Sequence, residues 1–303
     1  MAELVGRFIA SDSATAYHVG RSKELLKFWA EVKVKNVNKG LAEEYRNWRH
    51  RQKCISDATI NRDLSVLRHT FNWALDNSLL GVNPLNRLRL VRERRTKKTI
   101  LAADEEELLL CACAPHFAPI VAFTVDTGMR RGEVLKQQWS DIDLKRKLLF
   151  VTSSKTPEGE SREIPFTNRV SSLLSHMNPS HSLVFTFRGE AIRNVKRAWK
   201  SAVRRSGIRP LRFHDLRHTF NTRLMEAGVI QDIRKALMGH STGDEVHAAY
   251  THVELPAKRE AIRKLELWLA AQRQMGREEI TQNQIGNVKQ PEGSMDVEQT
   301  PTR

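Results

Sequence analysis

A basic segment divides this chain into two parts. Seven of the twelve residues from Arg87 to Lys98 are Lys or Arg, and the segment lacks the spacing of an amphipathic helix. Asn83-Pro84 lies just before it and prevents a preceding helix from continuing. The sequence therefore predicts a first domain at residues 1–90, an extended linker at 91–99, a second domain at 100–274 and a polar, disordered tail at 275–303.

The first domain is predicted to be helical. Apolar residues keep helical spacing from about Ser13 to Val32, from Leu41 to Arg51 and from Asp57 to Asn77. Asp57 is the candidate N-cap of the third helix. The aromatic residues are expected in the core rather than stacked on nucleic-acid bases; they are Phe28, Trp29, Trp48, Phe71 and Trp73.

The second domain is predicted to combine helices with a hairpin. A helix starts at about Ala103, and further helical patterns cover Ala191–Val203, Asp215–Ala227 and a stretch from Pro256 to about Gln274. Strand-like runs, Leu148–Val151 and Arg162–Phe166, flank a Pro-Glu-Gly turn and place Lys155 near the tip of a hairpin. The fold class expected from these patterns is mainly α with a small antiparallel β-sheet (α+β).

The charge of the chain favours an anionic partner. Its 303 residues include 50 Lys or Arg and 35 Asp or Glu, a net charge of +15, and residues 1–99 alone hold 20 basic against 10 acidic side chains. Three cysteines are too few for a disulfide-built secreted scaffold. The sequence shows neither a membrane-spanning apolar run nor a secretory signal, so we expect a cytoplasmic protein.

Two basic stretches are the candidate DNA-contacting surfaces. From Glu190 to Arg212 the chain contains no further acidic residue, and basic side chains alternate with an apolar face at helical spacing. The alternatives are a solvated hinge for the linker and a solvated face for the helix. The predicted contact residues are Arg94, Arg95, Lys97 and Lys98 in the linker, and Arg193, Lys196, Arg197, Lys200, Arg204 and Arg205 in the helix.

The segment His214-Asp-Leu-Arg-His218 admits two interpretations. The two histidines are four residues apart and share one helix face, which is a spacing that binds zinc. Against zinc, the acidic residue is Asp rather than Glu, Arg217 would lie beside the dication, and no third ligand is indicated. In the favoured interpretation Arg217 and His214 bind an anion together, because guanidinium matches phosphoryl oxygens and imidazole transfers protons near neutral pH.

An ordered series of motifs resembles the tyrosine recombinase (phage integrase) family. The series is Thr127-Gly-Met-Arg-Arg-Gly-Glu133, Lys155 in a hairpin, His214-Asp-Leu-Arg-His-Thr219, Leu237-Met-Gly-His-Ser241 and Tyr250. In the first domain, Thr59-Ile-Asn-Arg-Asp-Leu64 and Asn83-Pro84 resemble the family's helical core-DNA-binding domain. The resemblance implies a core-DNA-binding domain followed by a catalytic domain.

The resemblance also implies a role for each site residue. Tyr250 would attack the scissile phosphate and form a 3′-phosphotyrosyl bond, and Arg130, Arg217 and His240 would stabilise the transition state. Lys155 would protonate the leaving 5′-oxygen, and His214 would assist proton transfer from Tyr250. Glu133 and His218 are expected to support the site, while Arg131 faces solvent. No metal or nucleotide cofactor is implied.

The implied partners are double-stranded recombination sites, a homo-tetramer assembled on DNA from free monomers, and DNA-bending accessory proteins. Two features depart from the family pattern: ten residues rather than nine separate His240 from Tyr250, and Ala249 replaces a common Arg. The alternative functions are DNA relaxation of the type IB topoisomerase kind and a non-catalytic DNA-binding relic. The helix after Pro256 is a candidate for docking on a neighbouring subunit or on its own domain.

Overall fold

The computed structural model describes residues 1–52, 55–93, 98–154, 162–240 and 254–288, the last thirteen of these by their backbone alone. The chain divides into two compact units, Met1–Thr96 and Lys97–Arg303. This division falls inside the predicted linker at 91–99.

The described part of the first unit is helical. Its helices are α1 (Ala2–Ile9), α2 (Ala16–Trp29), α3 (Lys39–His50) and α4 (Asp57–Asp76). The helix α1 was not predicted. The helix α2 is shorter than predicted because its backbone is still extended at Thr15, whose N–H donates to His18 Nδ1 (3.1 Å). The cap of α4 is Ser56 and not Asp57: the Ser56 hydroxyl accepts from the Thr59 N–H, and Asp57 is already helical.

A buried carboxylate ties three of these helices together. Asp63 on α4 accepts hydrogen bonds from Arg21 Nη1 on α2 (3.0 Å) and from Tyr45 Oη (3.0 Å) and Arg49 Nε (3.1 Å) on α3. Burial, followed by the charge of Asp63, raises the pKa of Tyr45 far above its usual value, so the phenol stays a hydrogen-bond donor. Of the predicted core aromatics, Trp29 and Phe71 are fully buried, while the others pack against the core and are partly buried: Phe28, Trp48 and Trp73.

The start of the predicted linker is held against the first unit. The side-chain amide of Asn61 donates to Val91 O (2.8 Å), and its oxygen accepts from Val91 N (3.1 Å). This paired contact imitates a β-ladder and satisfies the polar groups of the buried Asn61 side chain.

The second unit is mixed, and the predicted fold class is confirmed. Its helices are α5 (Ala103–Ala112), α6 (Ala118–Thr127), α7 (Arg131–Lys136), α8 (Asn168–Ser175), α9 (Lys196–Ser206), α10 (Asp215–Glu226), α11 (Gln231–Met238) and α12 (Leu255–Val288). An antiparallel sheet contains β1 (Ile142–Asp143), β2 (Leu148–Val151) and β3 (Arg162–Pro165), with Val151 opposite Arg162. The strands β4 (Thr186–Phe187) and β5 (Glu190–Ala191) form a second antiparallel pair.

Two predicted boundaries in this unit are wrong. The helix predicted from Ala191 starts at Lys196, because Arg188 and Gly189 adopt positive φ and turn the chain into β4–β5, and Asn194 Oδ1 then accepts from Lys196 N (2.9 Å). The last helix continues to Val288 rather than ending near Gln274, so the backbone at 275–288 is helical and not disordered as predicted.

The helix α12 packs on its own unit. Its side chains Ala261, Ile262, Leu265 and Leu269 are buried in the core that α6 and α10 also build. Glu266 accepts a hydrogen bond from the backbone N–H of Asn168 at the start of α8. Of the two docking alternatives, the structure shows contact with the helix's own domain.

Gly128 ends α6 with φ +62°, and a Cβ there would overlap the ring of Phe220 on α10. Gly128→Ala should therefore lower the free energy of unfolding by about 2–4 kcal/mol, since the left-handed backbone and the overlap add. Urea denaturation of the full chain, followed by circular dichroism, measures this. Gly207→Ala is the matched control, because Gly207 has φ +69° with no atom within 4 Å of its Cβ position, and should cost about 1 kcal/mol. Equal losses would contradict the contact with Phe220.

Candidate active site

A cleft of about 520 Å³ opens where α7, the end of β2 and the start of α10 meet. Arg130, Glu133, Ser154 and His214 line it, so the cleft brings together residues from three distant parts of the sequence.

Arg130 is fixed at the start of α7. Its guanidinium Nη1 donates to Glu133 Oε1 (2.9 Å) and to Ser154 Oγ (3.1 Å), and Nη2 donates to Gly239 O (3.0 Å). Its backbone N–H donates to Glu133 Oε2 (2.8 Å). The side chain is 23% exposed, so one part of the guanidinium remains accessible from the cleft.

Arg217 is more deeply buried, with 2% of its surface exposed. Its Nη1 donates to Gly128 O (2.7 Å) and its Nη2 to Met238 O. Burial, together with the charges of Arg130 and Arg162, lowers the pKa of Arg217 to about 9. The guanidinium is still protonated at pH 7, but it is held in an environment that disfavours positive charge.

Three arginines bind three consecutive carbonyls at the end of α11. Arg162 Nε donates to Leu237 O (3.2 Å), Arg217 donates to Met238 O, and Arg130 donates to Gly239 O. The last carbonyls of a helix lack intrahelical partners and carry partial negative charge, which suits cations. Gly239 ends the helix with φ +60°, and His240 follows directly. Burial first, and then the charges of Arg217 and Arg130, lower the pKa of His240 to about 4.

Glu133 is the carboxylate at the centre of this network. It accepts from Arg162 Nη2 (2.6 Å), from Ser154 Oγ (2.6 Å) and from Arg130. Burial alone raises the pKa of Glu133, but the hydrogen bonds and charge of Arg162 outweigh it and bring the pKa to about 2. The carboxylate is therefore ionised, and its oxygens are engaged by the two arginines and by Ser154.

Sequence reasoning missed Arg162 and Ser154. A signal for Arg162 was present, because residues two apart on a strand share a face and Arg162 precedes the fully buried Ile164 by two. An arginine on the inward face of a strand requires a buried acceptor. Nothing in the sequence shows that this acceptor is Glu133.

His214 and His218 lie on one helix face, with ring centroids 5.0 Å apart. Burial, followed by the other histidine's charge, lowers the pKa of His214. Asp215 is the acidic residue of the zinc interpretation, and its carboxylate is already engaged. It accepts hydrogen bonds from the backbone N–H (2.9 Å) and the guanidinium (2.8 Å) of Arg212. Within the described ranges, no three His, Cys, Asp or Glu side chains are grouped to hold a metal ion.

Several predicted site residues lie outside the described residues: Lys155, Tyr250, Arg94, Arg95 and Lys97. The described linker residue Lys98 is exposed.

The predicted basic face of α9 is present on the exposed side of the helix. Lys196, Arg197, Lys200 and Arg204 are exposed, while Trp199 and Ala202 on the opposite face are buried. Arg193 is exposed but precedes the helix.

Arg205 has a further contact within its own unit. Its Nε (3.0 Å) and Nη2 (2.6 Å) donate to Ala112 O, so this side chain caps the C-terminus of α5. Arg205 is exposed like the other basic residues of α9, and its contact with DNA stays a prediction. Among the described helices, none has the length and apolar content needed to cross a membrane.

Known proteins resemble this chain both in sequence and in fold. The chain is 27% identical over 232 residues to a shufflon-specific DNA recombinase of Escherichia coli and 24% identical over 168 residues to the integrase of Salmonella phage P22. These matches cover 71% and 50% of this chain, but only 58% and 43% of the respective relatives. The chain thus spans about half the length of these two relatives.

Among solved structures, a lambda integrase tetramer bound to a Holliday junction superposes with a TM-score of 0.66 at 19% identity, covering 84% of this chain and 80% of that one. At this identity the likeness establishes the fold. The sequence profile of the phage integrase family matches residues 99–255, which contain the whole motif series from Thr127 to Tyr250. The chain belongs to the phage integrase family.

Proposed function

We propose that this chain is a site-specific DNA recombinase that cuts and rejoins strands through a 3′-phosphotyrosyl intermediate on Tyr250. The observation that carries the proposal is the convergence of Arg130 and Arg217 on consecutive carbonyls directly before His240. Convergent cationic donors in a cleft are what a phosphodiester transition state requires.

The charge balance of the cleft supports an anionic substrate. Arg130 contacts Glu133, whereas the contacts of Arg217 within the described chain are to carbonyl oxygens. Burial and neighbouring positive charge lower the pKa of both Arg217 and His240, so both gain if an anion enters. A phosphodiester bound at these groups would supply that anion.

The proposed reaction proceeds in two balanced steps. The Tyr250 oxygen attacks phosphorus while its proton passes to His214, and the 5′-oxygen leaves with a proton from Lys155. Arg130, Arg217 and His240 stabilise the charge on the non-bridging oxygens. The 5′-hydroxyl of another strand then attacks the phosphorus of the phosphotyrosyl group and gives its proton to Lys155, while the Tyr250 oxygen leaves with the proton held by His214.

The exposed side chains on α9 and the basic linker are the proposed backbone contacts, since fixed positive charges along a duplex replace condensed counterions. We further propose assembly as a tetramer on DNA, the arrangement in which lambda integrase was solved on a Holliday junction. DNA-bending accessory proteins and a cytoplasmic, nucleoid location remain part of the same proposal.

A nicked suicide duplex tests the nucleophile. The wild-type chain should form a covalent protein–DNA complex, in the presence of EDTA, because the proposed chemistry uses no metal. Tyr250→Phe should form none, since it lacks the attacking oxygen, yet should still shift the duplex in a binding gel. A covalent complex with the Phe variant would assign the nucleophile elsewhere, and none with the wild type would favour the DNA-binding relic. Strand exchange between two marked duplexes, as opposed to relaxation alone, separates recombination from topoisomerase-like activity.

Removing a phosphate-binding guanidinium should affect cleavage more than binding. Arg130→Ala and Arg217→Lys should each slow single-turnover cleavage on the order of 10²-fold or more, by comparison with other preorganised oxyanion donors. Arg217→Lys keeps a cation near the carbonyls that Arg217 holds. Arg263→Ala is the control, because Arg263 is exposed on α12 and paired with Glu260 at 2.7 Å. Equal losses of cleavage and affinity would make these arginines general DNA contacts.

The α9 surface should determine the salt dependence of binding. Each phosphate contact contributes about −0.9 to the slope of log K against log salt, so Lys196→Gln, Lys200→Gln and Arg204→Gln combined should reduce the slope by about 2–3 units. Lys264→Gln on the exposed face of α12 is the matched control and should leave the slope unchanged. An unchanged slope in the triple variant would exclude α9 from the DNA interface.

A further inference from the structure

We propose that Arg162 is a positioning residue that fixes Arg130 and the segment leading to His240 in one geometry, through Glu133 and the Leu237 carbonyl. This inference rests on the proposed function for its catalytic consequence. Its structural content, the placement of Arg130 and His240, is testable without cleavage.

The contacts of Arg162 join three elements. From β3, its two terminal nitrogens reach Glu133 on α7 (Nη1 3.3 Å, Nη2 2.6 Å), and its Nε reaches Leu237 O at the end of α11 (3.2 Å). The side chain is 4% exposed, so water does not compete for these donors. Arg162 therefore fixes the separation between α7 and the end of α11.

Both contacts of Arg162 act on groups that hold catalytic candidates. Glu133 Oε1 accepts from Arg130 Nη1 as well as from Arg162, so a displaced carboxylate changes the direction in which Arg130 points. Leu237 lies three residues before His240 and precedes the two carbonyls that Arg217 and Arg130 bind. A shift of the end of α11 therefore displaces His240 and the two carbonyl groups that Arg217 and Arg130 bind.

Lysine cannot replace this geometry. A guanidinium presents Nε and two terminal nitrogens in a rigid plane, which allows one side chain to bind a carboxylate and a carbonyl in different directions. An ammonium is a single point of charge and satisfies one of these positions. Arg162→Lys thus keeps the charge beside Glu133 and removes the bridge.

Arg223 provides a matched control within the same unit. It is also 4% exposed, and it also binds one carboxylate and one carbonyl: Glu106 Oε2 (2.6 Å) and Leu101 O (3.2 Å). Its partners lie on α5 and in the segment before it, and not on α7 or α11. Arg223→Lys therefore imposes a similar loss of buried contacts without touching the groups that hold Arg130 and His240.

The first test follows His240 in the DNA-free full-length chain. Histidine Cε1–H NMR signals, assigned with His240→Gln, should show a shifted His240 resonance in Arg162→Lys and an unchanged one in Arg223→Lys. Thermal unfolding should show comparable losses for both variants. If Arg162→Lys does not fold, Arg162→Gln takes its place. A His240 signal that stays fixed, or that moves equally in both variants, overturns the positioning role whether or not the chain cleaves DNA.

The second test measures single-turnover cleavage at saturating DNA. Arg162→Lys should slow cleavage by about 10–100-fold, because small misplacements of oriented groups have effects of this size, and should leave the DNA affinity within about threefold. Arg223→Lys should cleave at nearly the wild-type rate. On an Arg130→Ala background, Arg162→Lys should cost less than alone, because the part of its effect that acts through Arg130 is already lost. Losses that multiply in the double variant would overturn the mechanism. A wild-type chain that forms no covalent complex while His240 still shifts would refute the proposed function and not the placement.

Discussion

The site depends on hydrogen bonds from three arginines to the carbonyl groups at one helix end. Arg162, Arg217 and Arg130 donate to Leu237 O, Met238 O and Gly239 O in turn, which gives the end of α11 its hydrogen bonds and gives the guanidinium groups fixed acceptors. Because one interaction serves both needs, the position of the helix end and the position of the cationic groups cannot be changed separately. The electrostatic surroundings of His240 follow from this arrangement.

The first unit also contains a buried charge that is satisfied by surrounding groups, and there the charge is negative. There a buried carboxylate, Asp63, is surrounded by Arg21, Arg49 and the Tyr45 hydroxyl, and it joins three helices. In the second unit Glu133 is surrounded by Arg130, Arg162 and Ser154. Breaking such a pair leaves an uncompensated buried charge, which is strongly destabilising. Removing one partner from either ionic centre is therefore expected to cost more stability than removing an exposed ion pair.

Elements with long, regular apolar spacing could be predicted from the sequence, and α4, α10 and the β2–β3 hairpin are of this kind. The start of α9 could not, because it depends on a turn in which the non-glycine residue Arg188 adopts a positive φ. The motifs that contain Arg130, Arg217 and His240 were recognisable from their residue types and from their order along the chain. The Arg162–Glu133 pair was not, since a contact across 29 residues leaves no periodic trace. The bond from Arg205 to Ala112 O was not predictable either, because a backbone carbonyl as acceptor has no sequence signature.

The burial of α12 has a practical consequence for dissecting the molecule. The family match ends at residue 255, yet Ala261, Ile262, Leu265 and Leu269 complete the core of the second unit. A fragment that ends at residue 255 would expose the apolar surface of α10 and β3 that α12 covers, and exposed apolar surface promotes aggregation. An expression fragment of this unit accordingly has to extend beyond Leu269 to be self-contained.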